Sequence, residues 1–321
     1  MNYKSFKRKT VLRLFLVMIV IILALFAYYA SEKEPTVKIP VRRITSDNAF
    51  TTFTDAASLI AEKEHLSGLN LNLANTRTKE SLISKNRHAL TKVREGMLLN
   101  YEEPPIRSYY DDMSYFSGFR SLYYLLIAEG DVHKDNSRIR QAAYCYLDAL
   151  KFGNMINNGA NLHGFIIGLD MQRSAQSKLL DLYINKNFYG GNKELAMMIR
   201  CSENSNTIVN ALEEEKWMRV SSVLEVFNEE KNWRLTQAEN ADSINESIKW
   251  LTCNKNKYLN RYIHEMDRTV QRVKQPYSND SISTPTGLHK ELFVDDINEI
   301  WLKVNLLDTQ KGARKNNCPI C

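Results

Sequence analysis

Glycine and proline are the first scarcity: 321 residues hold 12 of one and 7 of the other. A chain with so few turn-formers does not make the many short hairpins of a sandwich or barrel. No stretch alternates apolar and polar residues for long enough to read as a half-buried strand. The sequence also lacks GxxxxGK followed by Ser or Thr, lacks GxSxG, and has no glycine fingerprint placed after a strand. Without a loop to cradle phosphates, nucleotide-dependent chemistry has no support, and no cofactor is implied. What remains plentiful is Leu, Ala, Lys, Glu and Ile. The apolar and charged fractions, 44% and 25%, are those of a globular chain and not a disordered one. The expectation is an all-α fold.

Charge of one sign is lacking too, once the charge is located. The net +6 invites a nucleic-acid reading. Yet five of the 43 basic residues (Lys4, Lys7, Arg8, Lys9 and Arg13) fall in the first thirty positions, which hold no acid. The rest of the chain sets 38 basic residues against 37 acidic, so it carries about +1. A near-neutral domain has no electrostatic footprint for phosphates. Nucleic acid is excluded as a partner.

The basic excess flanks the one long apolar run. Residues 11–30 read VLRLFLVMIVIILALFAYYA, with Arg13 as the single charge. At about 1.5 Å per residue, twenty residues span the roughly 30 Å hydrocarbon core. Arg13 can snorkel to the basic side, and Tyr28 and Tyr29 fall where an interfacial belt would lie. The competing reading is a cleaved signal peptide. The run is at the long end for one, and a cut after Ala30 would place bulky Tyr28 at the −3 position. The expectation is therefore an uncut signal-anchor. The basic tail, 1–10, lies in the cytoplasm, and the main domain lies outside a plasma membrane or a bacterial inner membrane.

Residues 31–46 read as a linker, and 47–275 as one helical domain. Asp47 or Asn48 caps a first helix whose apolar residues are Phe50, Phe53, Ala57 and Ile60. A second helix is expected over 78–94, with Leu82, Ile83, Leu90 and Val93 inward and Gly96 just past its end. Pro104-Pro105 breaks the chain. A third helix, 115–129, stops at Gly130, and a fourth, 137–152, stops before Gly153. Residues 159–184 form one long helix or a kinked pair, since Gly164 and Gly168 interrupt the start. Further helices are expected over 193–201, 207–227 and 243–273. A linker at 276–287, a last helix at 288–307 and a polar tail at 308–321 complete the chain.

Leu125-Leu126-Ile127-Ala128-Glu129-Gly130-Asp131, followed by Ala143-Tyr144-Cys145-Tyr146-Leu147-Asp148-Ala149-Leu150, resembles the two halves of a tetratricopeptide-type hairpin, over residues 125–153. That resemblance implies a helical-hairpin stack offering a groove to peptide or protein partners.

Each candidate chemistry meets a plainer role. His264-Glu265-Met266-Asp267-Arg268 opens like a zinc-protease helix but has Arg268 where the second histidine must stand. His65, His88, His133, His163 and His289 show no ligand spacing; His163, between Leu162 and Gly164, has the most interesting neighbourhood. The acidic pairs Glu102-Glu103, Asp111-Asp112 and Asp295-Asp296, and the run Glu213-Glu214-Glu215, cannot face one another across a substrate, because adjacent helical residues diverge by about 100°. They read as solvated faces or first-turn acids. Cys145, Cys201 and Cys253 read as small buried hydrophobes. Cys318-Pro319-Ile320-Cys321 could pair, bind half a zinc site or mimic a prenylation signal, and reads best as a silent tail. No catalytic, cofactor-binding or metal-ligating residue is assigned.

The functional expectation is a membrane-tethered helical scaffold that binds a protein partner or a second copy of itself. The alternative is an extracytoplasmic, hydrolase-like enzyme whose site is assembled from scattered polar residues, for example within 101–115. Two apolar seams, Leu259-Ile263-Met266-Val270-Val273 and Phe293-Ile297-Ile300-Val304-Leu307, are spaced for pairing or for docking on the core.

Overall fold

The computed structural model describes residues 14–21, 23–24, 37–41, 44–63, 66, 71, 73–108, 111–159, 161–185, 207–229 and 254–274. The described residues are helical with no strand; one isolated bridge joins Asn48 and Asn100. The chain divides into two compact units, Met1–Lys38 with Val226–Tyr262, and Ile39–Glu225 with Ile263–Cys321.

In the first unit, residues 14–21 and 23–24 are helical. Leu14, Phe15, Leu16, Val17, Met18, Val20, Ile21 and Leu23 are each exposed by half or more. Among the described residues no helix is long and apolar enough to cross a membrane. The other ten residues of the expected anchor lie outside the described residues, as do the expected helices at 193–201 and 288–307 and the terminal cysteines.

The second unit is built around α4. Its helices are α1 (Ala49–Ser58), α2 (Thr76–Lys85), α3 (Arg87–Gly96), α4 (Tyr115–Asp135), α5 (Ile139–Gly159) and α6 (Leu162–Asn185). Two further helices, α7 (Thr207–Glu229) and α8 (Lys255–Val273), run from one unit's residues into the other's. α4 packs against α1, α2, α3, α5 and α6, and α5 packs most extensively against α6. An aromatic cluster lies between α1, α4 and α5: the Phe53 and Phe152 rings meet edge-on at 4.8 Å between centroids, and Phe119 flanks both.

Of the two candidate caps for α1, Asn48 fills the role. Its Oδ1 accepts from Phe50 N at 3.0 Å and also from Glu102 N at 2.9 Å. Its Nδ2 donates to the Glu102 carbonyl, so one buried amide joins a helix start to the segment before Pro104.

The single helix expected over 78–94 is two. The break is Asn86, buried and only partly helical in its backbone (φ −105°, ψ 16°). Its Oδ1 accepts from Ala61 N at 2.7 Å, while Nδ2 donates to Leu82 O at 2.9 Å and Ala61 O at 3.3 Å. A side-chain amide that offers the backbone such partners competes with helix continuation.

The glycine stops are also corrected. α4 runs through Gly130, α5 through Gly153, and α6 through Gly164 and Gly168 without interruption. α3 contains Gly96 instead of ending before it. Gly96, Gly130, Gly153 and Gly168 mark close contacts. A Cβ on Gly130 would sit 2.3 Å from Tyr146 Cε1, and one on Gly96 would sit 2.6 Å from Phe53 Cε1. Packing holds the helices together past residues whose propensity alone would end them.

The true turn between α4 and α5 is at Ser137, whose φ is 58°. Arg138 N donates to His133 O at 2.8 Å and Ser137 N to Lys134 O at 3.0 Å, the pairing of a Schellman cap. Along α8, Leu259, Met266, Val270 and Val273 are buried and Ile263 is half-buried.

Candidate functional site

The second half of α4 carries Glu129, Asp131 and His133, and the packing sends these groups into two different polar clusters. Asp131 is buried among α2, α5 and α6. It accepts from Lys79 Nζ at 2.9 Å, Lys178 Nζ at 2.9 Å and Tyr146 OH at 2.7 Å. Burial alone would raise its pKa; three donors overcome that and hold the carboxyl below its ordinary value. The same burial, with the nearby carboxylate, pushes the Tyr146 hydroxyl well up. Lys79 is as buried as Asp131, which its polar position in the sequence gave no sign of.

Arg94 of α3 organises the other cluster. Its Nη2 donates to Glu129 Oε2, and its Nε donates to Asp148 Oδ2 of α5 at 2.8 Å. Burial works against its charge, but the two carboxylates prevail and raise the pKa. Cys145 Sγ lies 3.9 Å from Arg94 Nη2 and within 4.8 Å of a Glu129 carboxylate oxygen. Burial first, and then Glu129, push that thiol up to about 12. His133 sits one turn beyond Glu129, its pKa lowered by burial and by Arg138. Its Nδ1 is buried and makes no hydrogen bond. One donor atom each from Glu129, His133 and Cys145 lie within 4.8 Å of one another. The sequence placed Cys145 among apolar neighbours and found no spacing for His133. Only an i, i+4 pair of Glu and His opposite a helical Cys could have signalled the grouping.

The segment 101–115, named for the enzymatic alternative, contains a buried carboxylate at Glu103. It accepts from Tyr115 OH at 2.5 Å and from Tyr101 OH at 3.3 Å. Burial and then the Glu103 charge raise both tyrosines. The neighbouring acids serve the backbone. Asp111 Oδ2 accepts from Arg107 N at 2.8 Å and Ser108 N at 2.9 Å. Asp112 Oδ1 accepts from Ser114 N at 2.7 Å just before α4, and that bond lowers its pKa.

Other expectations separate in space. The run Glu213-Glu214-Glu215 is not one solvated face, because each acid has a different cation. Glu213 pairs with Lys216 at 2.5 Å, Glu214 with Arg107 at 3.0 Å, and buried Glu215 with Arg219 at 2.7 Å. His163 is exposed and packs edge-on against Phe116 at 5.2 Å, and partial burial and Arg120 lower its pKa. His264 is exposed on α8. A cleft of about 520 Å³ is lined by residues of α2, by Leu71, Ala74 and Asn75 before it, and by Glu62, which binds Lys85 at 2.6 Å. It shares no residue with either α4 cluster.

No family model matches the chain, no curated protein matches it, and no solved structure does. Residues 125–153, which resemble a tetratricopeptide hairpin, fold as the packed pair α4 and α5.

Proposed function

We propose that the protein is a single-pass membrane protein whose helical region is a scaffold for a protein partner or for a second copy of the chain. The observation that carries this reading is the helical run at residues 14–21 and 23–24. Its described apolar side chains other than half-buried Ile19 are exposed, Leu14 by 66%, Val20 by 63% and Leu23 by 61%. So contiguous an apolar surface needs a cover, and hydrocarbon fits a segment apolar on all sides. The basic residues before it set the N-terminus in the cytoplasm and the helical region outside. The scaffold reading is supported by the use of the buried and half-buried polar groups. Asp131, Arg94 and Glu103 tie helices or segments to one another.

The test is fractionation and protease protection of the full chain. The protein stays in the membrane pellet after an alkaline wash, and external protease digests the helical region while the first ten residues survive. Val17→Arg combined with Val20→Arg releases it, because each central charge costs about 2.5–3.5 kcal/mol of insertion. A mature N-terminus at Ser31 overturns the anchor. For the scaffold, cross-linking in intact membranes gives one defined adduct. Turnover in a broad hydrolase screen without any such adduct overturns it.

A further inference from the structure

α4 and α5 bring together three different metal-ligating side chains. Glu129 and His133 stand at i and i+4 on one face of α4, and Cys145 reaches across from α5. We propose that Glu129, His133 and Cys145 form a binding site for a zinc-like divalent cation, with water completing the coordination.

The donor set selects the metal class. One thiolate, one imidazole and one carboxylate suit zinc and its neighbours, whereas magnesium and calcium take oxygen donors. The distances are those of a site one adjustment from closure. Zinc bonds of about 2.0–2.3 Å place tetrahedral ligand atoms roughly 3.3–3.7 Å apart. The atoms here already lie within 4.8 Å, and side-chain rotation supplies the difference.

The second independent sign is His133, whose Nδ1 is buried without a hydrogen-bond partner. A buried imidazole nitrogen left unpaired is costly unless something else uses its lone pair. Arg94 does not block the carboxylate. It holds Glu129 through Oε2 and leaves Oε1 for a metal, as an outer partner that orients a ligand does. On binding, the Cys145 S–H bond breaks, a sulfur–metal bond forms, and the proton leaves to solvent.

The experiment uses the full chain in detergent with Cys318→Ser and Cys321→Ser, so that the terminal cysteine pair cannot supply a site. Cobalt(II) added to it gives one equivalent of bound metal and a thiolate-to-metal charge-transfer band, and zinc displaces the cobalt. Zinc binding releases one proton per chain near neutral pH. Cys145→Ser removes the band, and both it and His133→Ala weaken zinc by more than about 100-fold, beyond the usual effect of an outer-shell change. Zinc raises the melting temperature of the parent chain but not that of His133→Ala, a half-exposed position whose loss leaves the fold in place. No band, or equal zinc affinity in the parent chain and both variants, overturns the proposal and makes the cluster a salt bridge with a buried thiol.

Discussion

Gly153 of α5 and Gly168 of α6 cross backbone to backbone. A Cβ built on Gly168 would stand 2.6 Å from the Gly153 carbonyl oxygen and 2.5 Å from Asn157 N, and both obstacles are main chain. Neither atom can rotate away, so any side chain here must push the helices apart.

Gly168→Ala therefore destabilises the protein although alanine is the better helix former. The propensity gain is about 1 kcal/mol. Overpacking costs typically 1–3 kcal/mol, with more expected where only backbone can yield. The net expectation is a loss of about 1–2 kcal/mol, read as a melting temperature lower by several degrees. An unchanged melt would mean that α5 and α6 are less tightly apposed than the distances say.

Asp131→Asn should be among the most damaging single polar changes. It leaves the buried Lys79 ammonium without a counter-charge, a loss of about 3–5 kcal/mol. The pH dependence follows from the direction of the shift. The folded carboxyl lies below its ordinary value of 3.8, so its contribution is full above that value. It is lost as pH falls through the lower folded pKa. Chemical denaturation at a series of pH values from 7 down to 2 should show this extra loss in the parent chain. The Asp131→Asn variant should lack it.

Ser137→Gly should stabilise. A non-glycine residue at φ 58° is strained by roughly 1–2 kcal/mol, and the Schellman bonds on either side require that backbone. Set against the greater unfolded-state entropy of glycine, the net gain is about 0.5–1 kcal/mol. Ser137→Ala keeps the strain and should melt with the parent. Equal melting of the Gly and Ala variants would remove the strain argument.

Local pattern alone determined much of this protein. Helices announce themselves through apolar spacing, so Phe50, Phe53, Leu82, Leu90, Phe119, Tyr146 and Leu150 were legible as inward-facing residues. Asn48 was legible as a cap. The buried seam of α8 follows from its 4-3-4-3 spacing in the same way. These features depend on residues within one or two turns of each other, and such periodicity is written in the order of the residues.

What only the tertiary structure decided involves partners far along the chain. Gly130 and Gly153 look like helix ends until Tyr146 and Gly168 are seen to need the space. Asn86 looks like an ordinary helical residue until Ala61, twenty-five positions away, takes both ends of its amide. Lys79 and Asp131, fifty-two residues apart, look like surface charges until α2 is laid against α4. Glu129, His133 and Cys145 become one group only when α4 and α5 fold together. Hydrophobic periodicity fixes which face of a helix is buried. It does not fix which neighbour that face meets, and close backbone approach and charge pairing depend on the neighbour.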